Sequence, residues 1–395
     1  VIAALTERDP LSRRKALRHA GASAADRDLP QALEASLDLN SERDRQDYLL
    51  GLVGHWAETD PEAALDHALN SFAPGALQSE AIGLTMNKWG DANPREAWLW
   101  ADQHLSGPLK ERAMTDLVVG WTRRTPADAA AWLAGTGLVS QPLYNAVGRS
   151  WAEVSPVDAA AWAGTLPAGI VRQTAEVAVA GEWASQDPAA AAEHFTDSLA
   201  GDNGTNLTIA LTDVWATTDP TETAGWISKL PPGDKRDQAA GVLATVWAAS
   251  DIKAAVAWSS EIADPAMREQ VITHLGTTWG AIEPDRAIEW LGTLPAAEAK
   301  EGISGAFYSW AGTDPIGLQQ WIDTDPAHPL ADQGRLSLGD VLTSSNLPAA
   351  MDLALGMSDP GDSSQATARF FRECIRRTVF ATDNESSRYA LGGVL

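Results

Sequence analysis

The stretch that decides the fold is WATTDPTETAGW, residues 215–226, in which two Trp stand eleven residues apart around an Asp-Pro pair. Asp before Pro is typical of a helix start, because the Asp side chain accepts an orphan backbone N–H and proline tolerates the first helical position. Upstream, Leu207, Leu211 and Trp215 follow at helical spacing. The stretch therefore predicts two helices joined by a tight turn of three residues.

The same pattern recurs along most of the chain. A first Trp returns every 30–33 residues, at Trp56, Trp89, Trp121, Trp151, Trp183, Trp215, Trp247, Trp279 and Trp310. Proline follows five residues later in eight repeats, and in the ninth Ile252 replaces it while Asp251 keeps the cap. A second ring follows eleven residues after each first Trp: seven are Trp, and His67 and His194 take the place in two repeats. Because constant phase is what a packing position needs, we expect both series of rings to pack between helices.

The repeat predicts an all-α protein without strands. We expect a right-handed α-solenoid with nine clear helix-turn-helix repeats in a single domain, residues 1–395. The repeats fill residues 41–330. Residues 1–40 and 331–395 continue the pattern in degenerate form, as capping repeats do when one side faces solvent, and the Arg-rich stretch 370–380 predicts a basic cap helix.

This paired-helix repeat resembles the tetratricopeptide and HEAT classes of superhelical repeats over residues 25–380. It differs from the tetratricopeptide pattern in its shorter period and in its proline, which opens the second helix. The Trp-x3-Asp-Pro spacing is similar to repeats of uncharacterised bacterial proteins. The resemblance implies an architecture and brings no activity with it.

Composition restricts the partners. With 29 Lys and Arg against 53 Asp and Glu, the net charge is −24, which disfavours nucleic acid and favours a basic protein or peptide. No apolar run approaches the ~18 residues that span a bilayer, so membrane insertion is not expected. The lone Cys374 excludes an intrachain disulfide.

Candidate binding residues are few, and no catalytic residue or cofactor is assigned, because the known catalytic and metal motifs do not occur. Trp98 falls outside both ring series and is the candidate for an exposed aromatic. A basic residue stands eleven residues before the first Trp in five repeats, at Arg45, Lys110, Arg172, Arg236 and Arg268. These cations either form salt bridges to acids of neighbouring repeats or make a row of sites for an acidic peptide.

One loop has the oxygen-rich composition of a calcium site, with Asp202, Asn203 and Asn206, although it lacks the Glu that closes an EF-hand loop. A longer connection between repeats is the simpler interpretation of this loop.

Three functional hypotheses follow. The leading one is a non-catalytic scaffold that binds a protein or peptide on a curved acidic surface. The second is a structural component of an envelope or filament, and the third is a glycan-acting enzyme of the helical-toroid type, with two acids in a cavity. Because the chain begins at Val1 without Met, we expect an exported protein, with the cytoplasm as the alternative.

Overall fold

The computed structural model describes residues 2–391, except the side chains of residues 2, 3, 374 and 377–391. Over residues 2–391 the chain is all helical and contains no strand, so the predicted all-α class is confirmed. Cys374 lies outside the described side chains. The chain divides into two compact units, an N-terminal unit (Val1–Asn203) and a C-terminal unit (Gly204–Leu395), each considered by itself.

The N-terminal unit alternates long and short helices. They are α1 (Ile2–Leu5), α2 (Pro10–Arg27), α3 (Leu29–Leu37), α4 (Glu42–Thr59), α5 (Pro61–Ser71), α6 (Ala76–Ala92), α7 (Pro94–His104), α8 (Gly107–Arg124), α9 (Pro126–Thr136), α10 (Gln141–Ala152), α11 (Pro156–Thr165), α12 (Ile170–Gln186) and α13 (Pro188–His194), with a 3-10 turn at Ser198–Ala200.

The C-terminal unit continues the alternation. Its helices are α14 (Gly204–Thr218), α15 (Pro220–Ile227), α16 (Asp234–Glu261), α17 (Pro265–Ile282), α18 (Pro284–Gly292), α19 (Ala296–Thr313), α20 (Pro315–Thr324), α21 (Ala331–Leu342), α22 (Leu347–Leu355) and α23 (Pro360–Leu391). Helix α16 is the end-to-end union of two helices, because the backbone leaves helical geometry at Asp251 (φ −150°, ψ 90°).

Helices pack neighbour to neighbour. In the N-terminal unit each long helix from α2 to α12 packs against the next long helix, and each short helix between them packs against the long helices before and after it. The same order runs through α14 to α21. A helix begins at each predicted proline, as α5, α7, α9, α11, α13, α15, α18 and α20 show.

The turn inside a repeat is shorter than the predicted three residues. Asp219 alone separates α14 from α15, with a non-helical backbone (φ −145°, ψ 86°). Its N–H donates to the Trp215 carbonyl at 2.9 Å and its carboxylate accepts the Glu222 N–H at 2.8 Å. One residue thus closes the first helix and opens the second. Only the turn between α10 and α11 keeps three residues.

Aspartate caps behave as predicted and the other cap residues do not. The cap side chain accepts a backbone N–H three residues on at Asp60, Asp187, Asp219, Asp251 and Asp314. No such bond forms at Asn93, Thr125, Ser155 and Glu283. Asn93 and Ser155 instead donate to the acid three residues on, Glu96 and Asp158.

Glycine permits backbone contact between successive long helices. A methyl group added to Gly120 on α8 would lie 1.9 Å from the carbonyl oxygen of Asn87 on α6. Gly51 on α4 has the same 1.9 Å relation to the Arg18 carbonyl oxygen on α2. These contacts leave no room for a side chain, so the helices pack at their closest where glycine stands.

The two rings of each repeat contact one another. Ring centroids lie from 4.9 Å (Trp183 and His194) to 6.1 Å (Trp89 and Trp100) apart in all nine pairs. Most second rings are half-buried. Among the first rings, five are buried (Trp89, Trp121, Trp183, Trp215 and Trp310) and four are half-buried (Trp56, Trp151, Trp247 and Trp279). The rings therefore fasten the second helix to the first within each repeat.

One helix, α16, is long and apolar enough to cross a membrane by length and composition. Of its most apolar window, 44% is buried inside the protein, and the break at Asp251 interrupts the helix.

Candidate functional site

The prediction of an exposed aromatic at Trp98 is wrong. Its side chain is only 7% exposed and packs in the core of the N-terminal unit. The physical reason is its position four residues after the helix-opening proline, which faces the long helices. Other repeats carry Leu65, Ala130 and Ile288 there, all buried, so the sequence already contained the signal for burial.

Three cations of the predicted basic row bind the ends of preceding short helices. Arg45 donates to the carbonyl oxygen of Leu39, just beyond α3, at 2.7 Å. Lys110 binds the carboxylate of Asp102 in the last turn of α7 at 2.7 Å and its carbonyl at 3.3 Å. Arg172 donates to the Gly164 carbonyl in the last turn of α11. A cation at a helix C-terminus complements the helix dipole and satisfies orphan carbonyls.

The other two cations form the predicted salt bridges between repeats. Arg236, which is buried, places Nη2 2.7 Å from Asp237 and 3.0 Å from Asp264, the cap of α17. Burial opposes its charge, yet the hydrogen bonds that Arg236 donates to both carboxylates raise its pKa. Arg268 places Nε 3.3 Å from Glu298 on the following long helix. All five cations are therefore engaged within the chain.

An acidic cleft of about 620 Å³ lies in the N-terminal unit, between the α4–α5 turn (residues 57–62) and the α6–α7 turn (residues 88–96). Its carboxylates, all exposed, are Glu58, Asp60, Glu62, Asp91 and Glu96. Lys88 is its single cation and binds Glu58, which lowers the pKa of that carboxyl. Asp60, Glu62 and Glu96 lie here because the caps and first turns of the short helices favour negative charge. Glu58 and Asp91 lie in the last turns of α4 and α6.

A second cleft, which we call the Trp98 groove, combines two of the predicted residues. Trp98 and Lys110 both line this cavity of about 400 Å³, together with Asp102, Met114 and Leu138. An equivalent cleft of about 680 Å³ in the C-terminal unit holds Arg236, which like Lys110 stands eleven residues before a first Trp, and the half-buried Trp258. Such clefts lie between two successive short helices. The long helix that connects these two short helices carries, at its start, a cation of the predicted basic row.

A third cleft, about 390 Å³ in the C-terminal unit, contains two acids, Asp340 and Glu373. The hypothesis of a glycan-acting enzyme requires such a pair of acids in a cavity. Burial raises the pKa of Asp340. The Arg369 guanidinium, 2.8 Å from the Asp340 carboxylate, lowers this pKa, and the negative charge of Glu373 raises it further. Glu373 accepts two hydrogen bonds from Arg376, at 2.9 and 3.0 Å. Both carboxylates are thus held by arginines in an ion-pair cluster, beside the exposed ring of Tyr308.

In the candidate calcium loop, the side chain of Asn203 is already engaged in hydrogen bonds within the chain. The Asn203 amide is buried and donates to the Gln173 carbonyl at 3.2 Å and to the Glu176 carboxylate at 3.0 Å. Asp202 belongs to the N-terminal unit and Asn206 to the C-terminal unit. Among the residues that the structure describes, no group of three or more His, Cys, Asp or Glu side chains is placed to hold a metal ion.

Sequence reasoning missed two features. Arg335 is buried, and it binds Asp332 and the Pro326 carbonyl much as the row cations bind helix ends. That degenerate repeat contains no first Trp, so the position eleven residues before it could not be identified from the sequence. The acidic cleft was also missed, although acids at fixed phase around each turn were visible in the sequence.

Comparison of the chain with protein-family models finds no matching family, and comparison with curated proteins finds no match. The clefts are therefore interpreted from their own geometry and charge.

Proposed function

We propose that the chain is a non-catalytic scaffold, an α-solenoid that binds a basic segment of a partner protein at the acidic cleft. The observation that carries this proposal is the set of five exposed carboxylates around one open cavity, against a single lysine that is itself paired.

Charge supplies the attraction. The cleft concentrates negative charge on a chain whose net charge is already −24, so it raises the local concentration of cations and speeds their encounter. Lys or Arg side chains of a partner fit a cavity of about 620 Å³ without displacing an existing ion pair other than those of Glu58 with Lys88 and His55. Such binding weakens as salt screens the charges.

The test uses a fluorescein-labelled octalysine peptide and fluorescence anisotropy. The cleft variant carries the substitutions Glu62→Gln, Asp91→Asn and Glu96→Gln. None of these three side chains caps a helix. The matched control Asp213→Asn/Glu269→Gln/Glu289→Gln removes the same charge from exposed positions of the C-terminal unit. We expect Kd to rise about fivefold or more in the cleft variant and less than about twofold in the control.

Two results contradict the proposal. Equal loss in both variants means that diffuse charge, and no particular cleft, attracts the peptide. Absence of binding even at about 20 mM salt, together with concentration-dependent filaments, favours the structural-component hypothesis instead.

A further inference from the structure

We infer that the Trp98 groove receives an apolar side chain from the basic segment of the partner. The inference rests on the proposed function, and it names the second chemical feature that such a segment carries, an apolar residue flanked by Lys or Arg.

The groove has an apolar floor and an accessible rim. Trp98, Met114 and Leu143 are buried at its base, while Leu138 at its edge is 44% exposed. A cavity of about 400 Å³ is at the small end of ligand clefts, suited to one or two side chains. The thioether of Met114 adapts to side chains of different shape, as methionines do at peptide-binding surfaces.

Packing does not require Trp98 to be a tryptophan. Its counterparts in other repeats are Leu65, Val256, Ile288, Gln319 or alanines, and those repeats form the same pair of helices. Among the side chains that the structure describes, none accepts a hydrogen bond from the Trp98 indole N–H. Unlike the indole N–H of Trp132, this N–H is not enclosed without a partner, so an acceptor that enters the groove reaches it. A peptide carbonyl in the groove supplies that partner, while the ring supplies apolar contact.

The charges at the rim select the neighbours of the apolar residue. Asp102 and Glu111 stand beside Lys110, whose ammonium is already bound by Asp102 at 2.7 Å. Glu111 is exposed, and none of the described cations forms a salt bridge with it. The rim is therefore negative overall, as is the whole chain, and it favours Lys or Arg next to the inserted side chain.

The experiment compares two labelled peptides of equal charge, Lys-Lys-Leu-Lys-Lys and Lys-Lys-Ser-Lys-Lys, by fluorescence anisotropy and by NMR of the Trp indole N–H groups. In the second measurement, the signal that disappears in Trp98→Leu identifies Trp98. Leucine occupies the equivalent position as Leu65, so this variant keeps a residue type that the fold accepts.

We expect the wild-type protein to bind the Leu peptide about tenfold more tightly than the Ser peptide, because only leucine buries apolar surface. The Leu peptide shifts the Trp98 indole signal and the Ser peptide does not. In Trp98→Leu the preference falls below about threefold, while the affinity for the Ser peptide stays unchanged.

A rim variant keeps the test valid if Trp98→Leu fails to fold. Leu138→Ala removes a groove-lining side chain that is 44% exposed, and Leu99→Ala removes a neighbouring one that is 56% exposed and does not line the groove. The preference for the Leu peptide decreases in the first variant and persists in the second.

The possible failures are distinct. Equal affinities for the two peptides, or an unmoved Trp98 signal at saturation, overturn the groove inference and leave the acidic cleft as the binding site. If neither peptide binds, both the inference and the proposed function are overturned.

Discussion

Replacing Gly120 by alanine tests one of the two closest helix contacts that glycines permit in the N-terminal unit. The new methyl group would lie 1.9 Å from the Asn87 carbonyl oxygen, whereas ordinary contact begins at 3.4 Å. The obstacle is backbone, which has no alternative rotamer, so α8 must move away from α6. That movement also stretches the hydrogen bond of 3.0 Å from the Asn87 amide to the Asp116 carbonyl.

The expected cost is the difference of two terms. Forcing a methyl group into a packed interface costs about 1–3 kcal/mol, and replacing a helical glycine by alanine returns about 1 kcal/mol. We therefore expect Gly120→Ala to destabilise the protein by up to about 2 kcal/mol, or roughly 2–4 °C in Tm for each kcal/mol in a unit of this size.

Gly181→Ala is the matched control. Gly181 also stands inside a long helix, α12, but nothing lies within 4 Å of an added methyl group. Here only the propensity term remains, and we expect a gain of about 0.5–1 kcal/mol. Both variants are compared with the wild type by thermal and urea unfolding followed by circular dichroism.

The sign of the change in stability shows whether the glycine contact is as tight as the structure indicates. If Gly120→Ala stabilises the protein as much as Gly181→Ala, the long helices do not approach as closely as the structure shows. Loss of stability in both variants would mean that α12 is also in tight contact through Gly181.

Three further predictions use the same unfolding measurements. Trp215→Ala opens a cavity at a buried ring and should cost about 3–5 kcal/mol, whereas a cost below about 1 kcal/mol would show that this ring is a surface residue. Burial lowers the pKa of His67 below its usual 6.5, so the folded protein resists protonation of this ring and loses stability as the pH falls below 6.5. His67→Trp should make the stability less dependent on pH in that range, and an unchanged pH profile would assign the loss of stability to other groups. Asp314→Ala removes a cap hydrogen bond of 2.9 Å and should cost about 1 kcal/mol, while Thr125→Ala, whose side chain makes no cap bond, should cost less than about 0.5 kcal/mol; equal costs would refute the distinction.

Much of the local structure was predictable because it depends on neighbours in sequence. Asp219, Pro220 and Trp215 lie within five residues, and the cap bond, the helix start and the closing hydrogen bond all form among residues at that distance. The turn length was the exception. The three residues between Trp215 and Asp219, Ala216 to Thr218, all continue the first helix, because the single cap residue Asp219 serves both helices.

The candidate sites were less predictable because some of their contacts join residues about 30 positions apart, while others join a cation to the end of the preceding helix. The partner of Arg236 includes Asp264, and that of Arg268 is Glu298, at distances that the sequence does not indicate. Trp98 was placed by its distance from Trp100, whereas comparison with Leu65 and Ile288, which are apolar at the same position and buried, would have predicted its burial.

The sequence by itself determined the repeat, its all-helical class, the position of each second helix and the residues that cap it, because caps and prolines act within one turn of backbone. The tertiary structure decided which cations are already bound, that the two rings of a repeat contact each other, and that acids of successive turns surround one cleft. Those outcomes depend on how neighbouring helices pack, and glycines such as Gly120 allow the close approach through backbone contacts that no local pattern reveals.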